Sequence, residues 1–270
     1  MSSLFDIKGQ VVVITGGTGV LGREIAAYLA REGARVVLLG RRQEVGEALA
    51  HSIQREGGDA AFMVCDVTDI DAVNQTRDNI LSRYGQVDAL LNAAGGNMPG
   101  ATIPPGKTLF DVQVEEFQRV LNVNLTGTLI PTQAFLLPMT EAGHGSIVNF
   151  SSMAAFRPLT RVMGYAAAKA GISNLTAFLA NEVASKFSPA IRVNAIAPGF
   201  FLTDQNRSLL THEDGSLTRR GQDVIRQTPF KRFGKPEELC GTIHYLISQA
   251  SSFVTGTVAV VDGGFNIFAI

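Results

Sequence analysis

The chain has 270 residues, 46% of them hydrophobic, a formal net charge of -1 and two cysteines. That is enough apolar sequence for one substantial core, and the near-neutral balance offers neither the basic footprint of a nucleic-acid binder nor a cationic helix for a membrane surface. Cys65 and Cys240 are too far apart to read as a disulfide framework or a zinc knuckle, so a reducing cytoplasm and a small polar ligand are expected.

In chain order, the N-terminal MSSLFDIKGQ has no basic region leading into an apolar stretch, and no later run is expected to approach the ~18 apolar residues of a membrane span. Short segments rich in Val and Ile then alternate with longer ones of helical spacing, the pattern of strands buried on both faces by crossover helices. A strand over 10–15 ends in Thr15-Gly16-Gly17-Thr18-Gly19-Val20-Leu21-Gly22 and runs into a helix over 21–31. Glycines there permit a tight turn and close approach of backbone N–H groups to a pyrophosphate, and the helix N-terminus adds partial positive charge.

The second strand, 34–40, ends in Gly40-Arg41-Arg42, where NAD binders usually carry an acid for the ribose hydroxyls. Arg41 and Arg42 suit a 2′-phosphate instead, so NADP(H) is favoured, with NAD(H) possible. A helix over 43–56, a strand over 60–66, a helix over 69–84 and a strand over 87–92 follow. The segment 95–110, interrupted by Gly and Pro, breaks the rhythm after the fourth strand. A helix over 114–140, a strand over 146–151, a helix over 165–186 and a strand over 191–197 continue it, before the polar, turn-rich segment 199–227 breaks it again. A helix over 236–249 and a strand over 258–261 close the chain. The expected fold is α/β: one doubly wound, Rossmann-type parallel sheet of about seven strands with helices on both faces. Residues 1–270 form a single dinucleotide-binding and catalytic domain in this reading, with substrate loops near 95–110 and 199–227.

Tyr165 and Lys169 stand at i and i+4, on one helix face. An unperturbed phenol, with a pKa of about 10, is a poor proton donor near neutrality, and a cation within roughly 4–6 Å lowers it. Ser151 and Ser152 close the fifth strand at the sheet edge that carries the glycine turn, and a hydroxyl there can hydrogen-bond a substrate carbonyl. Ser152 is also placed as a turn or helix cap. The histidines, His51, His144, His212 and His244, show no metal spacing, so no metal is expected.

On these residues, with Asp66-Val67, Asn92-Ala93-Ala94-Gly95, Asn124 and Pro198-Gly199 followed by Thr203, the whole chain resembles the short-chain dehydrogenase/reductase family. The resemblance implies that Asp66 and Val67 contact adenine, that Asn92, Ala93, Ala94 and Gly95 line the cofactor, and that Thr203 holds the nicotinamide carboxamide with the Pro198-Gly199 turn. It implies that Lys169 binds the nicotinamide ribose, Ser152 polarises a carbonyl, Tyr165 gives the proton and Asn124 anchors a water on the proton path. The glycine turn departs from the family's short branch: Gly16-x-x-Gly19-x-x-Gly22 is similar to the longer epimerase and dehydratase branch, whose C-terminal domain is not expected here.

Within the family, Gly95-Gly96-Asn97, the run from Ser152-Met153 to Pro158-Leu159-Thr160-Arg161, and 197–207 resemble the D-mannonate oxidoreductases, or fructuronate reductases. That implies a sugar-acid substrate, with Arg157, Arg161 and Arg207 as candidate carboxylate clamps and Asn97, Gln205 and Asn206 for hydroxyls. The competing expectations are a ketoacyl, steroid or other lipidic ketone reductase, and a cofactor-binding regulator without turnover. The helices over 114–140 and 165–186 resemble those that pair subunits in the family, so a homodimer or homotetramer is expected.

Overall fold

The computed structural model describes residues 3–203 and 206–268. Seven strands appear where the Val/Ile runs place them: β1 (Val11–Thr15), β2 (Arg35–Gly40), β3 (Asp59–Val64), β4 (Ala89–Asn92), β5 (Gly145–Phe150), β6 (Ile191–Pro198) and β7 (Val258–Val261). They form one sheet in the order β3-β2-β1-β4-β5-β6-β7, each neighbouring pair parallel. The order reverses between β1 and β4, where Thr15 pairs in register with Asn92. A crevice opens at the carboxyl ends of the strands at such a reversal.

Strand alternation explains why the runs are continuously apolar. Val12, Ile14, Val36, Leu38 and Leu91 face one layer of helices, packing with Ile25 and Leu29 of α1 (Val20–Arg31) and Ile243 and Leu246 of α9 (Cys240–Ile247); Ile53 of α2 (Gln43–Arg55) joins them. Val11, Val13, Val37, Leu39 and Leu90 face the other, meeting Val73 and Ile80 of α3 (Ile70–Tyr84), Phe135 and Met139 of α5 (Gly127–Ala142), and Val183 of α6 (Met163–Lys186). Each fully buried Val, Leu, Ile or Phe contributes about 1.5–3 kcal/mol, so both layers hold the strand ends, and therefore the crevice, in place.

Two expectations need correction. The helix expected over 114–140 is α4 (Val114–Leu121) and α5 joined by a π-helical turn, Asn122–Thr126. Such widened turns break the i→i−4 ladder, which apolar spacing alone does not register. Within residues 114–142 an 18-residue window reaches a mean hydropathy of 1.2, long and apolar enough by composition to span a bilayer, although no unbroken apolar run marks it. In the fold this stretch packs on the sheet with Phe135 and Met139 wholly buried and carries Pro131 and Pro138, as a core helix. Last, the segment 199–227 is not merely a loop: it contains α7 (Arg207–Leu210) and α8 (Arg219–Gln227). Thr218 caps α8 by accepting from Gly221 N, and only Gly221 and Val224 of α8 are buried, too thin an apolar stripe to read as a helix from sequence.

Candidate functional site

A cavity of about 1060 Å³ runs along the carboxyl ends of the strands. Its middle is the turn between β1 and α1. Gly16 holds φ at +64°, and a Cβ there would fall 2.7 Å from Ala94 Cα; a Cβ on Gly22 would fall 2.7 Å from Gly16 O. Larger residues at either place would push the strand ends apart. Thr15, to which the sequence assigns no role, fastens this junction by accepting from Ala94 N at 3.1 Å across the sheet reversal. Gly16, Thr18, Gly19, Val20, Leu21 and Gly22 line the cavity, and no side chain caps α1 at Gly19, which leaves the helix's first-turn N–H groups without a capping acceptor.

Arg41, Arg42, Asp66 and Val67 wall one end. Arg41 Nη1 stands 3.9 Å from Asp66 Oδ2, with the Arg41 side chain 75% exposed. Burial pulls the Asp66 carboxyl upward, but hydrogen bonds from the Thr68 N–H and hydroxyl, aided by the Arg41 charge, outweigh it and hold the group below the ordinary range. Ala93, Ala94 and Gly95 line the cavity beside this turn. Asn92 does not; it lies beneath, donating from Nδ2 to Thr132 Oγ1 and Asn149 Oδ1, both at 2.9 Å, as part of a buried polar layer against α5 and α6.

At the other end Ser152, Tyr165 and Lys169 come together with Pro198, Gly199, Thr203 and Asn206 in the same wall. The structure distinguishes the two serines closing β5. Ser151 is buried and spent on α6, 2.7 Å from Ser173 Oγ, whereas Ser152 accepts only a 3.2 Å bond from Ala154 N and presents its hydroxyl to Tyr165. Lys169, 4% exposed, donates from Nζ to Phe150 O at 2.7 Å and lies 5.3 Å from the Tyr165 ring centroid.

Burial alone brings the Lys169 ammonium down to about 7. Burial likewise pushes the Tyr165 phenol up, opposed by the hydrogen bond with Ser152. The lowering of Tyr165 by Lys169 expected from the i, i+4 spacing is therefore not what the protein by itself displays: desolvation of both groups wins over their mutual stabilisation.

Asn124 sits in the π-helical turn, fully buried, just behind this end. Its Nδ2 donates to Gly96 O at 2.7 Å and Val120 O at 2.8 Å, and its Oδ1 accepts from Gly96 N at 3.3 Å. A Cβ on Gly95 would lie 2.6 Å from Asn124 Oδ1 and 3.4 Å from Lys169 Nζ, so all three are packed together. The side-chain amide is thus engaged in holding the Gly95-Gly96 turn.

The substrate candidates are dispersed. Arg157 lies outside the cavity wall, donating to Phe265 O at 2.7 Å with its guanidinium 5.0 Å from that ring's centroid. Asn97 donates to Thr102 Oγ1 at 3.0 Å, and Asn206, though in the cavity wall, spends its amide on Thr203 N and Phe201 O, both at 2.8 Å. Arg207 is exposed on α7. Arg161 takes φ +78° and its carbonyl accepts from Ile103 N at 2.9 Å. Gln205 lies outside the described residues.

A cavity bounded by glycine backbone in its middle, a charged pair at one end and a Ser/Tyr/Lys cluster at the other fits a nicotinamide dinucleotide: Gly16 and Gly22 keep the β1 turn packed where a Cβ would strike neighbouring backbone, and the start of α1, with no side-chain cap, lies in the cavity wall. Known proteins agree. The family model described as enoyl-(acyl carrier protein) reductase matches residues 18–266. The oxidoreductase UxuB of Bacillus subtilis strain 168, itself uncharacterized, is 42% identical over 273 residues, 98% of this chain and 97% of its own. Among solved structures, a protein of Haemophilus influenzae proposed to be a D-mannonate oxidoreductase, with bound NAD, superposes with a TM-score of 0.91 at 38% identity, covering 98% of this chain and 97% of that one. One from Agrobacterium tumefaciens proposed to be a gluconate dehydrogenase gives 0.88 at 32%, covering 98% and 99%. With the seven-stranded sheet and these matches along nearly its whole length, the chain belongs to the short-chain dehydrogenase/reductase family and is an NAD(P)-dependent oxidoreductase acting on CH–OH groups.

Proposed function

We propose that the protein interconverts a secondary alcohol and a ketone on a sugar acid of the D-mannonate/D-fructuronate type, using Ser152, Tyr165 and Lys169. The observation that carries the chemistry is the convergence of those three side chains in the cavity wall, with the Ser152 hydroxyl on the Tyr165 side opposing the rise of the phenol pKa. When bound, the nicotinamide supplies or accepts hydride. Ser152 orients the reacting oxygen, and Tyr165 Oη gives it a proton in reduction or takes one in oxidation. Charge grows on that oxygen in the transition state, which is where a positioned hydroxyl and a phenol contribute. Lys169, with an ammonium poised near neutrality, holds a proton behind the phenol and restores it, while Asn124 fixes the Gly95-Gly96 turn against which Lys169 packs.

The sugar-acid reading is supported by the polar character of the segments around this end and by the two sugar-acid relatives. The rival, a lipidic ketone such as a ketoacyl thioester, is supported by the acyl-carrier description of the matching family model. NADP(H) is the proposed preference, because β2 ends in Gly40 with Arg41 and Arg42 in the cavity wall and no carboxylate at that strand end. Asp66, Val67, the Ala93–Gly95 backbone, the Pro198-Gly199 turn and Thr203 complete the proposed cofactor site. We place the protein in the cytoplasm as a homodimer or homotetramer.

The deciding experiment follows nicotinamide absorbance with mannonate plus oxidised cofactor, fructuronate plus reduced cofactor, and a panel of ketoacyl and steroid ketones. Turnover of the sugar acids is expected; turnover confined to lipidic ketones would reverse the substrate assignment. The same assay with NADPH and NADH tests the cofactor preference, and a higher kcat/KM with NADH would reverse it.

A further inference from the structure

Resting on the sugar-acid reading, we propose that Arg220 of α8 joins Arg161 to form a seat for the substrate carboxylate beside the segment that connects Ser152 to Tyr165. Arg220 is in neither the glycine pattern nor any family signature, and only the fold brings it here. Its Nη1 donates to Thr160 Oγ1 at 3.0 Å, so α8 is clamped onto the segment that connects Ser152 to Tyr165. Arg161, the next residue, is one of two non-glycine residues with positive φ among those described, and in that conformation its carbonyl ties the 95–110 segment through Ile103 N. Three segments of the substrate side therefore meet at one pair of arginines.

The helix that delivers Arg220 is firmly seated. A Cβ on Gly221 would fall 2.1 Å from Leu210 O, so α8 is pressed against α7, which itself follows the cavity-wall residues Thr203 and Asn206. Both residues are half-buried, and burial first and the Arg161 charge second lower the pKa of Arg220 below the ordinary arginine range. Asp223, the acid nearest in effect, is already paired with Arg226 at 2.6 Å, and no ion pair engages Arg161 or Arg220 among the described residues. Two like charges near one another and partly desolvated are unfavourable until an anion joins them, and Arg161 holds a left-handed backbone conformation that favours glycine. Strain and repulsion of this kind persist where the site binds something. Planar guanidiniums match a carboxylate in charge and geometry, whereas a neutral polyol or an acyl ketone leaves both unpaired.

The test uses Arg220→Gln, Arg161→Gln and Arg220→Lys in the full-length protein, saturated with cofactor. Titration of tartrate, a small hydroxy-carboxylate, by calorimetry gives a readout independent of turnover; steady-state kinetics compare mannonate with mannitol. Expected are a tartrate Kd and a mannonate KM raised at least about tenfold in both Gln variants, kcat within about twofold, any mannitol KM unchanged, and partial recovery in Arg220→Lys. Unchanged tartrate affinity, or equal KM increases for acid and polyol, would overturn the seat. Should the wild type turn over no sugar acid, the functional reading falls, and the tartrate titration still decides the seat: affinity lost in the variants upholds it, affinity retained removes it. Thermal melts identify an unfolded variant, and Arg220→Lys, which keeps the charge, then carries the comparison.

Discussion

The middle of the crevice and its Ser/Tyr/Lys end are built from different materials. The middle, proposed for the dinucleotide, is backbone: Gly16 and Gly22 pack so closely that a Cβ would fall 2.7 Å from neighbouring backbone atoms, and Thr15 ties one strand end to the next. The substrate end is side chains on segments whose own hydrogen bonds consume several of them, as with Asn97, Asn206 and Arg157. A wall of backbone requires particular residues at particular spacings. A wall of side chains can be assembled in many ways from similar residues, and so it is where members of one family can differ.

Substitutions can break or sharpen that contrast. Tyr165→Phe, at the Ser/Tyr/Lys end, is expected to lower kcat about 10³-fold while cofactor affinity by fluorescence titration stays within about twofold. Retention of a tenth of the activity would remove Tyr165 as the proton donor.

Lys169→Met trades function for stability. With the folded pKa at about 7 against an ordinary 10.5, both folded and unfolded chains hold the proton below pH 7, and the folded one bears the full burial penalty; between 7 and 10.5 the unfolded chain binds more protons, so stability rises with pH. Removing the amine should stabilise the cofactor-free protein by about 2–4 kcal/mol at pH 6, after allowing for the lost bond to Phe150 O, with the gain shrinking toward pH 10. Denaturant melts across that range check it, and a gain that grows with pH would contradict the burial argument.

Gly16→Ala should destabilise the fold by about 2 kcal/mol and weaken cofactor binding at least tenfold, through its positive φ and the clash with Ala94. A cofactor titration showing wild-type affinity would mean that the turn is not the cradle. The smallest effect belongs to Arg157→Ala, which should lower stability by about 1 kcal/mol, from the lost bond to Phe265 O, with KM nearly unchanged. A large KM change there would return Arg157 to the substrate wall.

Much of the first contrast was legible before folding. The five inner strands show as apolar runs because each is covered on both faces, and the β1 turn shows as glycine because close approach and a positive φ exclude other residues there. Ser152, Tyr165 and Lys169 were legible because two strand-end hydroxyls precede an i, i+4 pair on one helix. Less was legible where the periodicity is weak or interrupted: α8 buries only Gly221 and Val224, and the π-helical turn at Asn124 interrupts a helix that spacing draws as continuous.

By itself, then, the sequence determined the sheet, the glycine turn and the choice of Ser152, Tyr165 and Lys169 as the proposed chemical side chains, since each depends on local backbone demands or on spacing along one element. Only the tertiary structure decided that burial, rather than the neighbouring cation, sets the Tyr165 phenol, that Arg157 serves Phe265, and that Arg220 reaches Thr160 across sixty residues of chain. Those outcomes depend on which surfaces lose water and which segments meet, and solvent exclusion and long-range contact are properties of the packed chain rather than of any stretch of it.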